Sequence, residues 1–149
     1  MSRIVATSTI SETESNGRYR PVMDADYQHI LLEQQSGVLV LTVNEKEMAE
    51  YNLCTAIGHE LIEAITRADS SAVVIDLRNI EFVASVGVVP FLNAKRCVSE
   101  RQGQLVLCHL SGFVHQVFTT TRLLINPGSQ NSLFQWATTR EQAITMLQD

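Results

Sequence analysis

A chain of 149 residues with 45% hydrophobic and 18% charged side chains has the length of one domain and enough apolar material for a core, which excludes a disordered chain. Its formal charge of −5 lacks the cationic excess that a phosphate backbone demands, and no Lys/Arg cluster compensates, so nucleic acid is not expected as a partner. No run approaches the roughly 18 apolar residues of a membrane span, and the N-terminus shows neither a basic nor an apolar leader, so the expected location is the cytoplasm without membrane insertion.

Residues 1–26 are rich in Ser, Thr, Glu, Asn and Arg, with Ile4, Val5 and Ile10 among the few apolar side chains. They read as a mobile arm ahead of a domain spanning 27–149. From Tyr27 two β-favouring runs, around Ile30-Leu31-Leu32 and Val38 to Val43, flank Gln35-Ser36-Gly37 and predict a hairpin. Cys54, Ile57, Leu61, Ala64, Ile65 and Ala68 then fall on one helical face, with Glu60, Glu63 and Arg67 off it, predicting an amphipathic helix of about five turns.

The unbroken run Ala72-Val73-Val74-Ile75-Asp76-Leu77 predicts a central strand covered on both faces. Gly87, Phe91, Ala94 and Val98 mark a second helix that stops at Gly103, and Leu105 to Cys108 marks the next buried strand. Pro90 is tolerated in a first turn, which puts this helix's start at or just after Ser85. Ser111 or Gly112 opens a short helix through Val114, Val117 and Phe118, which ends before the Asn126-Pro127-Gly128 turn. A late strand is expected over Leu133 to Trp136, and a final helix capped by Thr138 or Thr139. The order β-β-α-β-α-β-α-β-α predicts an α/β fold with a mixed, mostly parallel sheet, an N-terminal hairpin, about four helices and right-handed crossovers.

Cys54, Cys97 and Cys108 are odd in number and widely spaced, which indicates reduced thiols rather than a disulfide framework. Cys108-His109 is the nearest approach to a metal-ligand pair, but neighbours on a strand point to opposite faces, so no metal site and no cofactor are expected. Phosphate loops, nucleophile elbows and zincin helices are all missing from the sequence, and His29, His59, His109 and His115 show no paired acid or nucleophile spacing. The chain is therefore expected not to be an enzyme. Asp76, at the carboxyl end of the central strand, stands where ligands gather in open α/β sheets, although an Asp there also serves as a turn former.

The segment Val73 to Gly87, reading VVIDLRNIEFVASVG, resembles the STAS domain family of the anti-sigma factor antagonist type. The family's pattern is a strand ending in Asp, then a Phe-containing loop, then Asp-Ser-(Ser/Thr)-Gly at a helix start. The likeness in element order extends over 27–149. It implies that Ser85 matches the serine phosphorylated by an anti-sigma factor kinase in partner-switching members, and that Gly87 matches the motif glycine. Ala84 stands where the family usually has Asp, and Val86 where a second Ser or Thr is common.

Ser85 also has a physical rationale of its own. A serine at a helix mouth caps the first turn, and a phosphate there would meet the same donors and the positive end of the helix dipole. Val88, Val89 and Leu92 are left over once the core stripe of the helix is assigned. The expected partner-binding set is therefore Ala84, Ser85, Val86, Gly87, Val88, Val89 and Leu92. The resemblance implies an anti-sigma factor or kinase-like regulatory protein as the partner, with self-association as a further mode. The alternative is a STAS scaffold or transport-associated subunit that is never phosphorylated.

Overall fold

β1 (Ile30–Gln35) and β2 (Val38–Val43) pair in antiparallel register, Gln35 opposite Val38. The two residues between them have φ of 54° at Ser36 and 81° at Gly37, the doubly left-handed turn whose twist matches that of the flanking strands. This is a computed structural model, and it describes residues 27–121 and 134–148. The expected N-terminal arm and the Asn126-Pro127-Gly128 turn lie outside the described residues.

β2 then pairs in parallel with β4 (Ala72–Asp76), β4 with β6 (Gln104–Cys108), and β6 with β7 (Gln135–Ala137). The sheet order is β1-β2-β4-β6-β7. Between the strands run α1 (Tyr51–Ala68), α2 (Ser85–Glu100) and α3 (Gly112–Thr120), and α4 (Arg140–Gln148) follows β7. The expected mixed sheet, hairpin and four helices are all present.

Strand periodicity sorts the side chains onto two faces. Leu39, Leu41, Val73, Ile75, Leu105 and Leu107 join the larger core with Ile57, Leu61, Phe91 and Phe118 from α1, α2 and α3. Val38, Val40, Val74, Val106 and Cys108 form a smaller core with Ala143 and Ile144 of α4. Both faces of β4 are thus covered, which is why its sequence shows no polar alternation.

Two features depart from the sequence reading. A second, two-stranded parallel sheet joins β3 (Glu47–Met48) to β5 (Phe82–Val83), elements too short to leave a periodic signal. Pro90 also lies beyond the first turn of α2, in the helix interior, where it has no N–H to give to the Val86 carbonyl. The ring is buried and lies close to Gly58 of α1.

The capping side chains follow local chemistry. The Glu50 carboxylate accepts the N–H groups of Asn52 and Leu53 at 3.0 and 2.9 Å to open α1. The Ser111 hydroxyl accepts from Val114 N–H to open α3, and the Thr139 hydroxyl from Gln142 N–H to open α4.

Candidate functional site

The parallel strands β2, β4 and β6 all end on the same side of the sheet, and the segments that follow them gather there. Residues 44–50 carry β3 and the cap of α1, residues 77–84 carry β5 and lead into α2, and residues 109–111 lead into α3. The middle segment is held along its length. Leu77 N–H donates to the Cys108 carbonyl at 3.0 Å, and Ile80 N–H to the Leu77 carbonyl at 3.0 Å. Glu81 and Phe82 N–H both donate to the Lys46 carbonyl, and Ala84 N–H donates to the Met48 carbonyl at 3.0 Å. Leu77, Ile80 and Val83 are buried, so the loop is pinned on its inner side, while Arg78, Glu81 and Phe82 are exposed.

Large apolar side chains are exposed at this end of the sheet. Phe82 is 40% exposed and Phe113, the second residue of α3, is 44% exposed. Their rings stack with centroids 5.1 Å apart and planes 22° off parallel. Val89, one turn into α2 from Ser85, is 48% exposed, and Tyr51 at the start of α1 is 69% exposed. Glu47 lies opposite Phe82 in the β3–β5 register and is exposed, as are Lys46, Glu50 and Glu81. Exposed aromatic and aliphatic side chains beside charged ones have the composition of a protein-binding surface.

The expected partner-binding residues divide into two groups. Ser85 is exposed at the mouth of α2 and Val89 continues its face, while Ala84, Val86 and Leu92 are half-buried. Gly87 and Val88 are buried and face inward, so neither offers a side chain to a partner. A Cβ on Gly87 would overlap the Met48 carbonyl oxygen; the missing side chain is what lets β3 approach the first turn of α2. The capping expectation is also corrected. Ala84 is the N-cap of α2, Ser85 is already the first helical residue, and no side chain caps this helix.

Sequence reasoning missed Phe113, which lies off the Val114-Val117-Phe118 stripe and so carried a weak signal of exposure. It also left Phe82 out of the site, although that residue stands in the segment quoted for its family pattern.

A second cluster lies behind this surface, on the α4 side. Asp76 is fully buried, and its carboxylate accepts from Arg78 Nε at 3.0 Å and from Arg140 Nε and Nη2 at 3.3 and 3.2 Å. Asp76, Cys108 and His109 bring their donor atoms within 4.8 Å of one another, which overturns the expectation that Cys108 and His109 diverge. β6 ends at Cys108, and φ of 57° at His109 breaks the strand alternation. Two guanidinium groups already occupy the carboxylate, and burial, then the Asp76 charge, push the Cys108 thiol up to about 12. A neutral thiol and a doubly paired carboxylate make this an ion-pair network rather than a cation site.

Comparison with known proteins agrees with this architecture. The family model described as STAS domain matches residues 29–131. An anti-sigma F factor antagonist of Paenibacillus polymyxa is 22% identical over 94 residues, 63% of this chain and 79% of that protein. The crystal structure of an anti-sigma factor antagonist from Mycobacterium paratuberculosis superposes with a TM-score of 0.66 at 23% identity, covering 80% of this chain and 93% of that one. An anti-sigma-factor antagonist (STAS) domain protein from Planctomyces limnophilus gives 0.65 at 19% identity, covering 80% and 98%. With the family pattern matched across more than half its length, on a sheet and helices of the same arrangement, this chain belongs to the STAS domain family.

Proposed function

We propose that this chain is a regulatory protein-binding domain of the anti-sigma factor antagonist kind, engaging an anti-sigma factor or a related kinase-like protein through Phe82, Phe113, Val89 and the exposed mouth of α2 at Ser85. One observation carries the reading: two large aromatic rings are stacked on each other, each about two-fifths exposed, and one of them, Phe82, stands three residues before the serine that the family pattern marks. The relatives described as anti-sigma factor antagonists support it.

Phosphorylation at Ser85 would place a dianion at the positive end of α2 without disturbing the fold, since the side chain points to solvent. On binding, that charge would have to be desolvated against an apolar patch, which reverses affinity without unfolding anything. The test is calorimetric titration of an anti-sigma factor from the same genome, with wild type and with Phe113→Ala. Binding by wild type that falls at least about tenfold in the variant supports the reading; no binding by wild type removes it.

A scaffold role without phosphorylation is the second reading, and Ala84 and Val86 favour it, because both depart from the family's motif. Incubation of the antagonist and the anti-sigma factor with ATP, followed by mass spectrometry, separates the two. Phosphate on Ser85 supports switching, and an unmodified chain that still binds supports the scaffold.

A further inference from the structure

Arg140 is the first residue of α4, and it touches both of the segments that present the aromatic pair. Its Nε and Nη2 donate to Asp76 Oδ2 at 3.3 and 3.2 Å. Asp76 Oδ1 in turn accepts the Arg78 N–H at 3.0 Å, fixing the first turn of the loop that carries Phe82. The backbone N–H of Arg140 donates to His109 Nε2 at 3.3 Å, fixing the start of the segment that carries Phe113. The remaining donors reach the Glu33 carboxylate at 2.9 Å and the Thr42 hydroxyl at 3.2 Å, which anchors the guanidinium to β1 and β2.

We propose that Arg140 is a positioning residue that sets the spacing of the Phe82–Phe113 pair, so that the docking of α4 on one face of the sheet and the shape of the binding surface at its end form one unit. This rests on the proposed binding surface. The physical reason lies in Asp76. Its carboxylate is fully buried and must stay paired. Its other partner, Arg78, has a side chain 48% exposed, whereas Arg140 is only 14% exposed. Without Arg140 the Arg78 turn must close further over Asp76 to compensate, and Phe82, four residues on, moves with it. The His109 contact is lost or loosened at the same time, because it depends on α4 starting where it does. A Lys at this position lacks the planar fork that serves Asp76, Glu33 and Thr42 together.

The experiment is NMR on the full chain, reading the through-space contact between the Phe82 and Phe113 rings together with amide exchange at Phe82, Val74, Leu107 and His115, whose N–H donates to the Ser111 carbonyl in the first turn of α3. In Arg140→Gln the ring contact should vanish and exchange at Phe82 and His115 should accelerate at least about tenfold, with Val74 and Leu107 still protected. Arg140→Lys should restore part of the contact, and Glu141→Ala, at an exposed neighbour, should change nothing. His109→Ala should loosen Phe113 and spare Phe82, which keeps the inference testable should Arg140→Gln fail to fold. An unchanged ring contact in Arg140→Gln overturns the proposal, as does acceleration of all four amides in parallel, and so does a His109→Ala variant with Phe113 undisturbed. Partner titration runs separately: a lost ring contact with unaltered affinity upholds Arg140 as the positioning residue and removes the surface as the binding site.

Discussion

The Phe82 and Phe113 rings stack across a gap of 31 residues in sequence, centroids 5.1 Å apart, and each remains about two-fifths exposed. One comes from the loop after β4 and the other from the start of α3. Neither side chain contributes much to the core, so truncation should leave stability nearly intact while removing an anchor. Phe82→Ala and Phe113→Ala are each expected to unfold within about 1 kcal/mol of wild type and to weaken partner binding about tenfold or more. Urea denaturation and calorimetry on the same preparations check both halves.

Ser85→Asp should remain folded. Ser85 is the first residue of α2 and not its cap, so Ser85→Ala loses no capping bond, and an acidic side chain there suits the helix dipole. Affinity for the anti-sigma factor should fall at least about tenfold in Ser85→Asp, roughly 1.4 kcal/mol, and stay near wild type in Ser85→Ala. Equal affinities in all three proteins would place Ser85 outside the contact.

Gly87→Ala should destabilise the domain by about 1–3 kcal/mol, because a methyl group there collides with the Met48 backbone and only a shift of β3 or of α2 relieves it. The same shift displaces Phe82 through the β3–β5 pairing. Thermal unfolding should show the loss, and binding should weaken even at temperatures where the variant is fully folded.

Ile75→Asp should abolish folding. Ile75 is fully buried at the centre of the sheet, and an unpaired carboxylate there costs several kcal/mol against a total stability of about 5–15 kcal/mol. A cooperative thermal transition in that variant, seen by circular dichroism, would contradict the assignment of β4 to the core.

Cys108 predicts a pH dependence. Below about pH 7.5 the thiol is neutral both folded and unfolded, and it adds no slope. Above that the unfolded chain releases the proton while the folded chain holds it up to about 12, so the folded state is progressively disfavoured through that window. Urea midpoints at pH 8 and pH 10.5 should differ more for wild type than for Cys108→Ala. A slope unaffected by the substitution would show that Cys108 ionises freely in the fold.

Local chemistry in the sequence determined most of the scaffold. The apolar run over β4, the helical stripe of α1 and the Ser36-Gly37 turn each specify their element from neighbouring residues alone, because burial on both faces, 3.6-residue periodicity and positive φ leave direct marks on composition. The family likeness and the place of Ser85 were legible for the same reason, both lying in one continuous segment. Tertiary structure alone decided which residues around Ser85 face outward. Gly87 turned inward because β3, only two residues long, packs across the mouth of α2, and Val88 joined the larger core. Phe113 joined Phe82, and Arg140 met Asp76 across 64 residues, because parallel strands return the ends of distant segments to one side of a sheet. Such contacts depend on strand order and register, which no local window of sequence records.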